Sequence, residues 1–309
     1  MWKYIAKRLL ALIPVLIGVS IFVFLLIHLT PGDPALIMLG EQADPAEIEN
    51  MREQMGLNRP LPVQYGSWAL DAVQLDFGRS VRSRKPVITE VFDRLPNTAI
   101  LAFGSVALAV IIGIPVGVLS AAKPNSFFDN LFTAIAFTAV GMPVFWQGIM
   151  LILIFSVFLG WFPSSGMGPN ISYFVLPTIA LATVTTARIV RITRSSMMDV
   201  LKEDYVRTAR AKGVNERSVI YKHALRNSLI PIVTIIGLSF GRLLGGAVLT
   251  ETIFAWPGLG RLIVEAIRTK DFPVVQGSIM IFAIMFALVN LGTDIIYAFL
   301  DPKIRVKYE

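Results

Sequence analysis

The pentapeptide Gly237-Leu-Ser-Phe-Gly241 spells the G-x-S-x-G pattern of a hydrolase nucleophile elbow. That chemistry needs a strand-to-helix turn that presents the serine, and a histidine near enough to take its proton. Ser239 lies instead within an apolar run of helical character, and the only histidines are His28 and His223, both far outside that run. No hydrolase is expected. Gly237, Gly241 and Gly245 recur every four residues and form a small-residue face that a second helix can approach closely. The two histidines also rule out an HExxH zinc motif, and the absence of cysteine removes thiolate ligands, disulfides and a cysteine nucleophile. The dipeptide Gly-Lys occurs nowhere, so there is no Walker A phosphate loop. No catalytic residue, metal site or resident cofactor is expected in this chain.

Polar residues inside apolar runs are the next candidates. An ionised group at membrane depth is costly and by default points to function. Arg242 occupies such a place and could meet a carboxylate of a transported molecule, an interhelical partner, or the interface by snorkelling. Asn290 and Asp294 stand one turn apart on a later apolar run, where hydrogen bonds between helices would account for them; Gln147 reads as another helix–helix contact. With Ser239, these residues are the candidates for a translocation path. No series of intramembrane carboxylates suggests a proton relay.

The densest charge lies between Tyr205 and Asn227, "YVRTARAKGVNERSVIYKHALRN", with six Lys or Arg and His223. Residues Asp199 to Lys212 favour helix, Gly213 can stop it in a left-handed conformation, and Asn215 can cap a second helix. In that second helix Ile220 and Ala224 share a face, with Val219 and Leu225 beside them. Ala209 and Ala211 leave little side chain near the turn, so a partner's backbone could approach. Asp199, Glu203, Asp204 and Glu216 are interleaved with the cations, which argues against nucleic acid. Contact with anionic headgroups and docking into a groove on another protein both remain open.

These segments need a scaffold, and the composition says which kind. Of 309 residues 55% are hydrophobic and 16% charged, against about a quarter charged in soluble domains. Six runs reach the roughly 20 apolar residues a membrane helix needs: Leu9–Leu29, Thr98–Ala122, Leu131–Phe158, Phe174–Ile192, Leu229–Thr250 and Val274–Phe299. The first is read as a retained anchor. The third contains Pro143, which predicts a tilt or kink. Lys and Arg number 17 on the side holding both termini and the 188–228 segment, and 10 on the other. Both termini and the basic loop are therefore expected in the cytoplasm. The expected architecture is an all-α membrane protein of six transmembrane helices: an anchor at 1–30, a small structured extracytoplasmic insert at 31–96, and a transmembrane domain at 97–309 carrying the 199–227 loop. Within the insert, "DPAEIENMREQMG" predicts a helix capped by Asp44, begun at Pro45 and stopped at Gly56. "KPVITEVFDRLP" predicts a second helix beside the membrane.

The loop resembles the cytoplasmic coupling signature of bacterial ABC importer permeases, in which Glu-Ala-Ala is followed after three residues by Gly and, nine residues later, by Ile-x-Leu-Pro. Here Arg207, Thr208 and Ala209 take the first three places, Gly213 the glycine, and His223, Leu225 and Arg226 the last positions. These departures are similar to the dipeptide/oligopeptide/nickel branch, as are "IAKRLLALIPVL", "HLTPGDPA", "GLNRPLPVQY", "DFGRS", "FAWPGLGRL" and "DPKIR". The likeness is collinear over nearly the whole chain. It implies a permease subunit in the prokaryotic cytoplasmic (inner) membrane, paired with a second homologous permease subunit. It also implies two cytoplasmic ATPase subunits that bind ATP and Mg, and an extracytoplasmic substrate-binding protein. The ATPase-coupling residues it implies are Asp204, Tyr205, Arg207, Thr208, Ala209, Arg210, Ala211, Lys212, Gly213, His223, Leu225, Arg226 and Asn227. Peptide is the expected cargo, with nickel or glutathione as alternatives. A stand-alone secondary transporter is the reading from a different class.

Overall fold

A computed structural model describes residues 2–29, 32–40, 43–54 and 56–300. Among them the chain forms helices and no strand. Helices α1 (Trp2–Leu29), α2 (Pro34–Leu39), α3 (Pro45–Gln54) and α4 (Leu61–Val73) are followed by α5 (Val87–Ala122) and α6 (Phe127–Gly141). Then come α7 (Val144–Phe158), α8 (Ser172–Val200), α9 (Asp204–Ala211), α10 (Glu216–Ile253), α11 (Leu259–Arg268) and α12 (Phe272–Leu300). Five of the described helices are individually long and apolar enough to cross a membrane, and the bent pair α6–α7 makes a sixth if it counts as one span. The 301–309 tail, counted above for orientation, lies outside the described residues.

The chain divides into two compact units: residues 2–96 with 258–288, and residues 97–257 with 289 onward. In the first, Val23, Val87, Val91, Leu259 and Val274 are buried together. The predicted N-terminal signals of the insert are present. Asp44 Oδ1 accepts the Ala46 N–H at 2.9 Å, and Gly56 takes φ +67° beyond the helix. Asp33 caps α2 through the Ala35 N–H and also receives Arg52 Nε at 2.7 Å, which ties α3 to α2. Helix α4 was not foreseen. It begins on prolines, which suit a first turn, and lies on α1 through a 2.8 Å hydrogen bond between the Ser20 and Tyr65 hydroxyls and the Phe24–Tyr65 ring contact.

The helix expected over "KPVITEVFDRLP" is not separate. It is the first part of α5, which runs 36 residues through Pro96. Pro96 forfeits one backbone hydrogen bond, while Val87 and Val91 before it and Leu101 and Ala102 after it are buried. Before α5, the chain from Gly78 to Pro86 is organised by a residue distant in sequence. The buried Asp271 carboxylate accepts Ser80 Oγ at 2.6 Å and the N–H groups of Val81 and Arg82 at 3.2 and 3.3 Å.

In the second unit Gly113 and Gly117 of α5 leave room for the Ile189 and Thr193 side chains of α8 to pack directly on the α5 backbone. A Cβ on Gly113 would sit 2.7 Å from Ile189 Cγ2, and one on Gly117 2.5 Å from Thr193 Cβ. This is the small-xxx-small contact of membrane helices. Of the predicted Gly237–Gly241–Gly245 face, only part serves this purpose: Gly237 meets Thr293 of α12, while Gly245 has open space. The third predicted span is not kinked but broken, with α6 and α7 bent by 109° around Met142 and Pro143. The break frees carbonyls of α6, and Gln147, expected at a helix–helix contact, satisfies two of them through Nε2 to Ala139 O (2.8 Å) and Met142 O (2.9 Å). At the other end of α6, Asp129 is buried and binds Arg194 of α8 bidentately at 2.6 and 2.8 Å, while also accepting the Asn125 N–H.

Replacing Asp271 by Ala strands one hydroxyl and two N–H groups, each lost acceptor costing about 1–3 kcal/mol when buried. Trypsin cleavage after the exposed Arg82 and Arg84 should then accelerate by about tenfold or more, and Ser80→Ala should have a smaller effect. Equal digestion of wild type and Asp271→Ala would contradict this role.

Candidate functional site

The basic segment folds as a pinned hairpin of helices. The single helix expected over 199–212 is in fact two pieces: α8 continues to Val200, and α9 starts afresh at Asp204 after a break at 201–203. The break redirects the chain so that α9 can fold back on its successor. Gly213 takes φ +76°, as its position required, and Lys212 before it ends α9 with its N–H on Thr208 O. Asn215 Oδ1 accepts the Ser218 N–H at 2.8 Å and caps α10. The first turns of α10 are unusually wide, with π geometry from Val219 to Ala224.

An apolar contact locks the hairpin. Val206 and Val219 are fully buried against each other's cluster with Ala209, and Val200, Leu201 and Val214 pack around them. Ala209 therefore faces inward, not toward a partner as its small size had suggested. Its smallness lets α9 lie close to α10. Ala224 anchors the same hairpin on α5 and α8 through Val118, Ala121 and Met197. Polar links are secondary: Arg210 pairs with Glu216 at 2.7 Å, and Asn227 Nδ2 donates to Tyr205 Oη at 2.8 Å. Such exposed pairs add under about 1 kcal/mol each.

With that core turned in, the outer face of the hairpin presents Asp204, Tyr205, Arg207, Thr208, Arg210, Ala211, Lys212, Gly213, Arg226 and Asn227, all exposed. His223 and Leu225 are half-buried. The structure thus leaves most of the signature residues exposed around the hairpin and assigns Ala209 to the buried support beneath them. Val206 and Val219, which carry that support, went unremarked or were placed only beside a face in the sequence. Their signal was the helical spacing of Val206 with Ala209.

The intramembrane candidates sit on two helices, α10 and α12, that meet where Thr293 packs on Gly237. Ser239 is fully buried and its Oγ donates to Ile235 O at 2.6 Å, one turn back in its own helix, so the elbow pattern has no nucleophile. Arg242 is exposed on α10, while Asn290 and Asp294 are half-buried on α12. Arg242 stands within Coulombic reach of Arg188 on α8, a residue the sequence reading treated only as loop charge. Asp129 was also missed; its signal was the Ser126-x-x-Asp129 spacing, in which Ser126 Oγ accepts the Asp129 N–H at 3.3 Å.

Comparison with known proteins places this geometry. Residues 113–306 match the family described as binding-protein-dependent transport system inner membrane component, and residues 1–102 match its N-terminal companion. The chain is 45% identical to the dipeptide transport system permease protein DppB of Alkalihalophilus pseudofirmus, covering 99% of this chain and 100% of that one. It is 46% identical, with the same coverage, to the glutathione transport system permease protein GsiC of Escherichia coli strain K12. Among solved structures, the inward-facing MetNI methionine ABC transporter shares the fold at a TM-score of 0.58 and 19% identity, over 69% of this chain and 96% of that one. With two family models spanning it nearly end to end, the chain belongs to the binding-protein-dependent inner membrane components and is an ABC importer permease of the dipeptide/oligopeptide branch.

Proposed function

We propose that this chain forms half of the translocation path of a peptide importer of the prokaryotic inner membrane, and that ATP is hydrolysed in separate subunits that pull on the α9–α10 hairpin. The observation that carries this is the pinned hairpin itself. Its charged outer face rests on an apolar core and continues into α10 without interruption. A force applied to α9 is therefore delivered to a membrane helix and not absorbed by a loop. The excess of Lys and Arg on the side of the hairpin supports a cytoplasmic position for it and for both termini. The partners are a second homologous permease subunit, two ATPases that carry ATP and Mg, and an extracytoplasmic binding protein that delivers cargo. The 31–96 insert receives that binding protein.

Short peptide is the cargo best supported. The relatives named above are permeases for dipeptides and for glutathione, itself a tripeptide, and the whole length of this chain aligns with both. Glutathione remains the second reading within the same chemistry, and the nearly equal identities do not separate the two.

Gly213→Val tests the coupling. A Cβ there meets nothing within 4 Å, so the substitution acts through φ +76° alone. A β-branched residue in that region costs about 1–3 kcal/mol, and relief of the strain would unseat α9. Uptake by the reconstituted importer should fall by about tenfold or more, while the isolated ATPases hydrolyse ATP at their normal rate. Unchanged uptake would refute the hairpin as the joint. For the insert, deletion of residues 41–60 should leave an assembled complex whose ATPase no longer responds to loaded binding protein. Full stimulation of that deletion variant would remove the insert from the docking step.

A further inference from the structure

Helices α8 and α10 run antiparallel in close contact. Leu181 shares a buried cluster with Leu243 and Ala247, and Ile189 lies among Ile235 and Ile236. This register puts Arg242 and Arg188 about 7 Å apart along the helix axes, at the helical rise of about 1.5 Å per residue, a gap that two arginine side chains span. Arg191 follows Arg188 by one turn, and Arg188 feels the charge of both Arg191 and Arg242. Arg191 and Arg242 are exposed and Arg188 is half-buried.

Three like charges thus gather on helices that cross the membrane, Arg188 and Arg191 toward the end of α8 that leads to the hairpin and Arg242 deeper on α10, where such groups face a partner or a water-filled cavity. The ion pairs found among the described residues include none of the three. The nearby Asp129 is already held by both nitrogens of the Arg194 fork. Beside Arg191 a cavity of about 280 Å³ opens between α6 and α8, walled by Ala136, Phe137, Val140 and Val190. Guanidinium groups match a carboxylate through two parallel hydrogen bonds, and the adjoining cavity also carries Thr133, Arg194 and Ser195 beside its apolar wall. An exposed cluster of this kind holds an anion without trapping it, as passage requires.

We infer that Arg188, Arg191 and Arg242 form a way-station for the free carboxylate of the cargo as it moves through the membrane segment. This rests on the import reading above and makes the cargo an anionic-ended peptide. The missing counter-charge is supplied by each molecule in transit.

The test uses the complete importer in proteoliposomes, supplied with binding protein preloaded with a radiolabelled dipeptide or with its C-terminal amide. Wild type should import the acid faster than the amide. Arg242→Gln and Arg188→Gln should each lower import of the acid by about tenfold and leave the amide nearly unchanged. Arg242→Lys, which keeps the charge but loses the fork, should fall between and also reports on any glutamine variant that does not assemble. An equal loss for acid and amide would overturn the inference and assign the arginines to a charge contact with the second permease subunit. Unchanged import of both would overturn it as well. If the wild-type complex responds to loaded binding protein with ATP hydrolysis yet imports neither compound, the peptide-import reading itself falls, and this inference with it.

Discussion

A chain surrounded by hydrocarbon has no water to accept the polar groups that its bends set free. Three of the bends in this molecule, one between α6 and α7 and two at helix starts, are each answered by a specific side chain. Where α6 turns sharply into α7, Gln147 reaches back to two carbonyls. Where α6 begins, Asp129 gathers a backbone N–H and the Arg194 fork. Where the chain enters α5, Asp271 collects three donors from the preceding turn. These are the places at which a six-helix hydropathy pattern becomes one particular arrangement, and Asp129, buried against a half-exposed Arg194, would be left without its counter-charge if that arginine were removed.

The hairpin outside the spans obeys the opposite rule. Water solvates its charges freely, so ion pairs contribute little and order comes from a few apolar atoms. Val206, Ala209 and Val219 supply them, with Gly213 providing the one backbone conformation that lets α9 fold onto α10. The charges are not needed for stability and stay exposed on the outside of the hairpin.

Much of this was legible in the sequence. Apolar runs located the spans, since length and composition suffice for that. Asp44, Asn215 and Gly213 announced their turns because capping and left-handed geometry are local properties. What could not be read is non-local. Nothing near Asp271 in the chain indicates that its acceptors serve residues 80–82, and nothing near Arg188 reveals Arg242. Local signals also misled: Pro96 suggested a helix end, yet α5 runs through it with buried residues on both sides, and Ala209 looked like a landing place when it is a spacer. Helices α4 and α11 escaped notice because both are short and only partly apolar.

The contact of α5 with α8 across Gly113 and Gly117 has a mechanical meaning. With only the Ile189 and Thr193 side chains of α8 set directly on the α5 backbone, the pair has a thin layer to compress and bends as a two-ply beam. One ply, α8, ends at Val200, three residues from α9, and the other carries Val118 and Ala121 beneath Ala224 at the base of α10. On the coupling proposed above, a tug on the hairpin is shared by three helices at once, and its stroke emerges as a tilt of the whole beam.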